Sequence, residues 1–133
     1  GGAWLNGKEI RVSTVPYLAQ SLIATGFPYH DFSRLDDYLK CFDHFCRTTH
    51  GLRRIGSAAI DLAYVACGRF EAFWEYGLNP WDITAGIIIV REAGGHACDF
   101  SGNEKQLNGK EILATNSLIF EEFLQNVSKF MVR

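Results

Sequence analysis

Hydrophobic and polar positions alternate along the chain in patterns that predict helices separated by strands. Apolar residues at spacings of three and four predict an amphipathic helix over 31–48, with Phe32, Leu35, Leu39, Phe42, Phe45 and Cys46 on one side. An Ala-rich segment predicts a helix over 57–66. Asn79 and Pro80 suit the start of another helix, whose interior from Ala85 to Val90 is apolar enough for burial on most sides. Ser117 is predicted to cap a last helix that carries Leu118, Phe120, Phe123, Leu124 and Val127.

Shorter segments between these helices predict strands. They lie at 20–25, 51–55, 70–75, 96–100 and 112–115. The pair Asn6-Gly7 between two apolar runs predicts a hairpin over residues 1–13. Helices that alternate with strands indicate an α/β layered sandwich, in which a mixed sheet is flanked by helices.

Composition narrows the functional classes. The 133 residues are 47% hydrophobic, which suffices for one core, and their net charge is −2. That charge predicts no nucleic-acid partner and no anionic membrane surface. The longest wholly apolar run is 87–90, whereas a membrane-spanning helix needs about 20 such residues. Four cysteines without a C-x-x-C pair indicate reduced thiols, so we expect a cytoplasmic protein.

Asp82 is the first candidate for chemistry, because it falls in the first turn of the helix that follows Asn79-Pro80. One interpretation is that its carboxylate complements the helix dipole. The other is that a carboxylate held at a helix start binds a hard cation such as Mg²⁺. Spacing alone does not decide between them.

Two further segments have the same double interpretation. Gly56-Ser57-Ala58-Ala59 is a glycine turn that enters a helix, where backbone N–H groups suit an anion or polar ligand, although Ser57 also suits an ordinary cap. Glu75 ends an aromatic strand and could accept hydrogen bonds from ligand hydroxyls, or could be a solvated charge. No nucleophile elbow, P-loop or dinucleotide fingerprint occurs in the chain.

Several motifs together resemble the inositol monophosphatase family. W-D-I-T-A-G at 81–86, followed by E-A-G-G at 92–95, is similar to the C-terminal signature of that family. G-S-A-A at 56–59 and the G-A-x-x-N-G-x-x-I-x-V-S stretch at 2–13 are similar to its other motifs, as are 63–69, 73–75 and 114–116. The resemblance covers nearly the whole chain in the family's order.

The resemblance implies a Mg²⁺-dependent phosphomonoesterase with the inositol monophosphatase/fructose-1,6-bisphosphatase-like fold, of which this chain is the C-terminal half. It implies that Asp82 binds metal, that Glu75 binds substrate hydroxyls, and that Gly56, Ser57 and Ala58 lie against the substrate ring. The expected reaction is hydrolysis of inositol 1-phosphate to inositol and phosphate by two-metal chemistry. A homodimer is expected for the complete enzyme.

One departure limits this expectation. The family's Glu-Glu region and its D-P-[IL]-D-G-T segment, which hold most of the metal, do not occur here. The chain starts Gly-Gly-Ala-Trp and its one methionine is Met131, so we expect a fragment. Residues 1–13 would then end the N-terminal domain and 14–133 would form the C-terminal domain. We expect no catalytic residue in this chain, a Mg²⁺ site completed by residues outside it, and no activity without the N-terminal domain.

Two alternatives stay open at this point. The complete protein could hydrolyse another phosphate ester, such as 3'-phosphoadenosine 5'-phosphate or fructose 1,6-bisphosphate. It could also be a non-catalytic domain that binds protein or nucleic acid. Asp82 and Glu75 favour the enzyme, because a scaffold has no physical need for both carboxylates.

Overall fold

A computed structural model describes residues 1–28 and 30–132, and it contains two sheets and four α-helices. The strands are β1 (Ala3–Leu5), β2 (Lys8–Ile10), β3 (Leu22–Thr25), β4 (Gly51–Arg53), β5 (Ala72–Tyr76), β6 (His96–Cys98) and β7 (Glu111–Thr115). The helices are α1 (Leu35–Thr48), α2 (Ala58–Ala66), α3 (Pro80–Glu92) and α4 (Phe120–Met131). None of these helices is long and apolar enough to cross a membrane.

The main sheet is mixed and has the strand order β4-β3-β5-β7-β6. Strands β4, β3 and β5 are parallel, whereas β7 runs antiparallel to both β5 and β6. The predicted N-terminal hairpin is confirmed as the antiparallel pair β1–β2. Its turn residues Asn6 (φ 53°) and Gly7 (φ 79°) both occupy the left-handed region, as a type I′ turn requires. The α/β class with a mixed sheet is therefore confirmed.

Side chains of β5 alternate between the two faces of the main sheet. Trp74 and Tyr76 pack in one core cluster with residues of α1 and α4. Phe73 packs in a second cluster with residues of α2 and α3. Because alternate residues of a strand share a face, Glu75 points to the same side as Phe73. The sheet thus forms the middle of three layers, and Glu75 is directed into the α2–α3 layer.

The first long helix differs from its prediction in start and in orientation. It begins at Leu35 rather than Asp31, because the Asp31 carboxylate accepts hydrogen bonds from the Ser33 N–H (2.9 Å) and hydroxyl (2.6 Å) in a local turn. Its buried residues are Tyr38, Cys41 and Phe45. The predicted side was wrong in part, since Phe32 is 59% exposed and Leu39 and Cys46 are also exposed.

Other boundaries and faces also differ from expectation, and the strands predicted at 51–55, 70–75 and 96–100 are observed at Gly51–Arg53, Ala72–Tyr76 and His96–Cys98. Residue 20 belongs to a 3-10 turn before β3, not to the strand. Ser117 does not cap α4, because the Asn116 side-chain oxygen instead accepts the N–H groups of Leu118 (3.1 Å) and Ile119 (3.0 Å). Helix α3 is buried on one side rather than on most sides within this chain.

The exposed side of α3 contains an apolar stripe. It carries Trp81, Ala85, Ile88 and Ile89, which recur at the helical spacings of four, seven and eight and which we call the α3 outer face. Trp81 is 77% exposed and Ile88 57% exposed. The hairpin lies beside the end of this helix, where the Gly2 N–H donates to the Glu92 carboxylate (3.0 Å).

Helices α2 and α3 approach each other closely at Gly86. A Cβ atom at Gly86 would lie 2.5 Å from Leu62 Cδ1 and 2.6 Å from Leu62 Cβ. Both distances are far below van der Waals contact, and Leu62 Cβ is fixed by the α2 backbone. Glycine at this position therefore sets the separation of the two helices.

We expect Gly86→Ala to lower the free energy of unfolding by about 1–3 kcal/mol, because the methyl group must push α2 and α3 apart. The matched control is Ala85→Gly on the exposed side of the same helix. There the alanine should be the more stable residue by about 0.5–1 kcal/mol, owing to helix propensity alone. Urea unfolding measures both differences. An increase in stability for Gly86→Ala would show that the helices are not in close contact.

Candidate functional site

A pocket of about 360 Å³ opens at the carboxyl ends of the parallel strands. Ligands of α/β sheets bind in this position, because loops and helix N-termini converge there. The pocket is bounded by the residues that follow β3, β4 and β5 and by the first turns of α2 and α3. Its lining consists of Gly26, Phe27, Arg54, Gly56, Ser57, Ala58, Ala59, Glu75, Leu78, Trp81 and Asp82.

All five residues that the sequence singled out line this one pocket. Gly56, Ser57 and Ala58 form the wall at the start of α2, and Glu75 and Asp82 belong to β5 and α3. The structure thus brings together three segments that are separate in sequence. Their roles toward metal and substrate stay predictions, since proximity alone assigns no chemistry.

The wall at the start of α2 has a clear local cause. Gly56 has a φ of 94°, which favours glycine, and this turn leads directly to the helix. The Ser57 hydroxyl then accepts the Ile60 N–H (3.3 Å), so Ser57 is a true N-cap as one interpretation predicted. Capping does not remove Ser57 from the pocket, because the same residue also lines the cavity.

Asp82 is half-buried and also takes part in capping the N-terminus of α3. Its Oδ2 atom accepts the Asn79 backbone N–H (2.9 Å), which is the reciprocal bond of a capping box. This bond uses one of its two carboxylate oxygens. A carboxylate that is held in place by the helix start and faces a pocket suits Mg²⁺, which takes one or two protein carboxylates with phosphate and water oxygens.

Residues 1–28 and 30–132 contain no group of three histidine, cysteine or acidic side chains placed to hold a metal together. Among these residues Asp82 therefore fits Mg²⁺ as a single ligand rather than as part of a complete protein cage.

Glu75 is the polar centre of the pocket floor. It is 8% exposed, and its carboxyl group lies over the backbone of Gly26, where a Cβ atom would come within 2.2 Å of it. Burial raises the pKa of Glu75 to about 7, with a further rise from the charges of Asp61 and Asp82 and an opposing effect of Arg54. The group can therefore be either neutral or charged near neutral pH.

Sequence reasoning missed several residues around the pocket. Arg54 places a cation at the wall, and its guanidinium lies over the Phe27 ring at 5.0 Å. Trp81 is an aromatic residue at the rim and is 77% exposed. The adjacent pair Arg53-Arg54 before the glycine turn was a visible signal for the cation. No sequence pattern indicated Gly26, because its importance depends on its close approach to Glu75, which lies 49 positions later in the chain.

Asp61 is another residue that the sequence pattern did not reveal. It is 1% exposed, and neither carboxylate oxygen has a hydrogen-bond partner within the described part of the chain. Burial raises the pKa of Asp61 to about 7, and the charge of Arg54 opposes that rise. A lone acidic residue in the otherwise apolar segment 58–66 was the available sequence signal.

Comparison with known proteins identifies the family. The model of the inositol monophosphatase family matches residues 1–131. The chain belongs to this family. It is 45% identical over 128 residues to the Nus factor SuhB of Pseudomonas aeruginosa, covering 95% of this chain and 47% of that protein. It is 48% identical over 124 residues to the inositol-1-monophosphatase of Synechocystis, covering 93% of this chain and 43% of that protein.

Solved structures of the inositol monophosphatase family have the same fold. The extragenic suppressor protein suhB of Bartonella henselae superposes with a TM-score of 0.89 at 40% identity, over 97% of this chain and 49% of that one. Inositol monophosphatase from Anabaena superposes with a TM-score of 0.86 at 39% identity, over 97% of this chain and 51% of that one. The expected fold is thus confirmed, and the chain spans about half the length of these relatives.

Gly26→Ala should displace the Glu75 carboxyl group, because the new methyl group would occupy its place. The far end of a flexible side chain can rotate away, so we expect the fold to persist. Once the carboxyl leaves its buried position, the pKa of Glu75 should fall toward its ordinary value. Carboxyl carbon NMR of the labelled protein measures this change.

Gly51→Ala is the matched control for this experiment. The added Cβ meets no atom closer than 3.3 Å, and that atom is the end of the Arg53 side chain. The pKa of Glu75 should stay the same in this variant. Equal pKa values of Glu75 in both variants would contradict the close approach at Gly26.

Asp61→Asn should stabilise the fold in a pH-dependent manner. The pKa of Asp61 is raised from 3.8 to about 7 on folding, so its ionisation does not oppose folding well below pH 3.8, where Asp61 is protonated in both the folded and the unfolded state. The cost grows as the pH rises toward 7 and is complete above it. The variant should therefore gain about 2–4 kcal/mol in unfolding free energy at pH 8 and little at pH 4. Urea unfolding at both pH values tests this, and an equal gain at both would contradict it.

Proposed function

We propose that this chain is the C-terminal part of a Mg²⁺-dependent phosphomonoesterase that hydrolyses inositol monophosphate to inositol and phosphate. The observation that supports this most is the convergence of Glu75, Asp82 and the turn 56–58 on one pocket. Membership of the inositol monophosphatase family gives that convergence its chemical meaning. The name of the Synechocystis relative, inositol-1-monophosphatase, supports the choice of substrate.

In this proposal the residues of the chain bind and orient the substrate. Glu75, when ionised, accepts hydrogen bonds from ring hydroxyls at the pocket floor. The turn 56–58 forms the wall along the ring, and the first N–H groups of α2 favour an anionic ligand nearby. Arg54 and Trp81 complete the wall and the rim.

Asp82 would hold Mg²⁺ with one carboxylate oxygen at the start of α3. When bound, Mg²⁺ supplies polarisation of the phosphate and activation of water. The fixed helix start means that Asp82 keeps its position whether or not the ion is present, because the bond to the Asn79 N–H holds it.

We further propose that the N-terminal domain of the same protein covers the α3 outer face. The relatives are about twice as long as the part that this chain matches, so a second half of similar size is available. The face is apolar and adjoins the β1–β2 hairpin, which could extend a sheet of that domain. That domain would supply the remaining metal ligands, the complete protein would form a homodimer, and the chain alone would be inactive.

A non-catalytic function is the second candidate, supported by relatives named Nus factor SuhB in Pseudomonas aeruginosa and Xylella fastidiosa. A protein partner rather than a nucleic acid would fit the net charge of −2. Such a function could coexist with catalysis, because the exposed surfaces of α1 and α4 lie on the opposite side of the sheet from the pocket.

Asp82→Asn in the longer protein should lower kcat/KM for inositol 1-phosphate by about 100-fold or more, since loss of groups that merely support a metal ligand already costs about 10–100-fold. Phosphate release at a series of Mg²⁺ concentrations measures this loss. Asp43→Asn, at an exposed position of α1, is the control and should retain the parental rate. Equal rates for the two variants would overturn the assignment of Asp82.

The same assay separates the alternatives. Release of phosphate from fructose 1,6-bisphosphate or 3'-phosphoadenosine 5'-phosphate but not from inositol 1-phosphate would replace the proposed substrate. Absence of release from all three by the longer protein would favour the interaction function. Mg²⁺-dependent release by the 133-residue chain alone would contradict the proposal that the N-terminal domain is required.

A further inference from the structure

The segment just before β7 supports the turn between β5 and α3. Strands β5 and β7 are antiparallel neighbours. Just past the ends of these strands, the Gly77 N–H donates to the Lys110 carbonyl (3.0 Å) and the Leu78 N–H donates to the Gly109 carbonyl (2.8 Å). These two bonds continue the antiparallel ladder into the turn. The turn that leads to α3 is therefore fixed by a part of the chain that is distant in sequence.

Gly109 is buried against this turn and has no space for a side chain. A Cβ atom at Gly109 would lie 2.8 Å from the carbonyl oxygens of both Leu78 and Asn79. These are backbone atoms, so no side-chain rotation can relieve the contact. Gly109 also has a φ of 90°, which disfavours residues with a side chain. Two independent constraints thus require glycine at this position.

Asn79 is the residue that joins Gly109 to Asp82. The Asn79 carbonyl accepts the Asp82 N–H (3.0 Å), and the Asn79 N–H donates to Asp82 Oδ2 (2.9 Å). A group that displaces the Asn79 carbonyl therefore acts on the backbone and on the carboxylate of Asp82 together. Asn79, Pro80 and Trp81 are exposed, so the contact with Gly109 supports a helix start that is otherwise open to solvent.

We propose that Gly109 is a positioning residue for the pocket, because its backbone fixes Asn79 and thereby the direction in which the Asp82 carboxylate faces the cavity. The use of that carboxylate as a Mg²⁺ ligand rests on the proposed function, whereas the contact between Gly109 and Asn79 does not. Gly109 does not line the cavity itself. It therefore affects a bound ion only through Asn79 and Asp82.

Gly102 provides a matched comparison within the same loop between β6 and β7. Its φ of 89° is nearly that of Gly109. A Cβ atom at Gly102 would meet the end of the Leu124 side chain at 3.4 Å, which is an ordinary van der Waals distance. Gly102→Ala thus adds the same methyl group at the same backbone conformation without a clash against backbone. It separates the effect of backbone strain from the effect of displacing Asn79.

The decisive experiment is amide hydrogen exchange, measured by NMR on the labelled 133-residue chain. In Gly109→Ala the Asn79 N–H should exchange about tenfold faster or more, because the methyl group moves it away from the Asp82 carboxylate. In Gly102→Ala its exchange should stay within about twofold of the parent. The Phe123 N–H inside α4 reports any loss of global stability in both variants. Equal exchange of Asn79 in the two variants, corrected for global stability, would overturn the proposal.

A second variant decides the question if the first does not fold. The Asn108 side-chain oxygen accepts the Lys110 N–H (3.0 Å) in an exposed part of the same segment. Asn108→Ala removes that bond without adding an atom, so it should loosen the segment. The Leu78 and Asn79 N–H groups should then exchange faster by a common factor of about 3–10. Faster exchange of Leu78 with an unchanged rate for Asn79 would show that the segment does not hold Asn79.

Mg²⁺ binding by the longer protein tests the functional consequence. Calorimetric titration with Mg²⁺ alone should give a Kd about 10–100-fold higher for Gly109→Ala than for the parent, the usual cost of disturbing a group that orients a metal ligand. The Kd of Gly102→Ala should stay within about twofold of the parent. Lower stability with an unchanged Kd in both variants would mean a purely structural role and overturn the positioning role. If the parent binds no Mg²⁺, the proposed function fails, while hydrogen exchange still decides whether Gly109 positions Asp82.

Discussion

The alternation of side chains along β5 is the constraint on which the rest of the site depends. A strand cannot turn one residue without turning its neighbours, so Trp74 and Tyr76 in the α1–α4 core require Glu75 to face the opposite layer. There the carboxyl group has little water, and Gly26 provides space because it has no side chain. Packing of the aromatic residues Trp74 and Tyr76 on one side of the sheet thereby fixes the Glu75 carboxyl group on the other side.

The burial of acidic groups in this chain lowers the stability of the fold, whereas the proposed function uses at least one of them. Glu75 and Asp61 are both largely withdrawn from water, at 8% and 1% exposure. The charge of Asp61 further raises the pKa of Glu75. A chain selected for stability alone would replace at least Asp61 by a neutral residue.

The sequence predicted element types better than element faces. The order of strands and helices followed from local patterns, and the five residues that the family motifs singled out all line one pocket. The faces of α1 and α3 were less predictable, because Phe32, Leu39 and Ile88 are apolar residues left exposed in this chain. Apolar spacing identifies a helix but cannot tell which of its apolar positions another element covers. Gly26 matters through a tertiary contact with β5, and no local pattern contains that information.

The close packing at Gly86 has a mechanical consequence for the pocket. Helix α2 begins at the wall residue Ser57, and helix α3 begins beside Asp82, so each helix carries one side of the cavity. With no space for a side chain between them, the two helices cannot slide past each other without a clash at Leu62. The wall and the proposed metal ligand are consequently parts of one rigid body. A pocket built in this way is preorganised, and a small polar ligand loses little binding free energy to rearrangement of the protein.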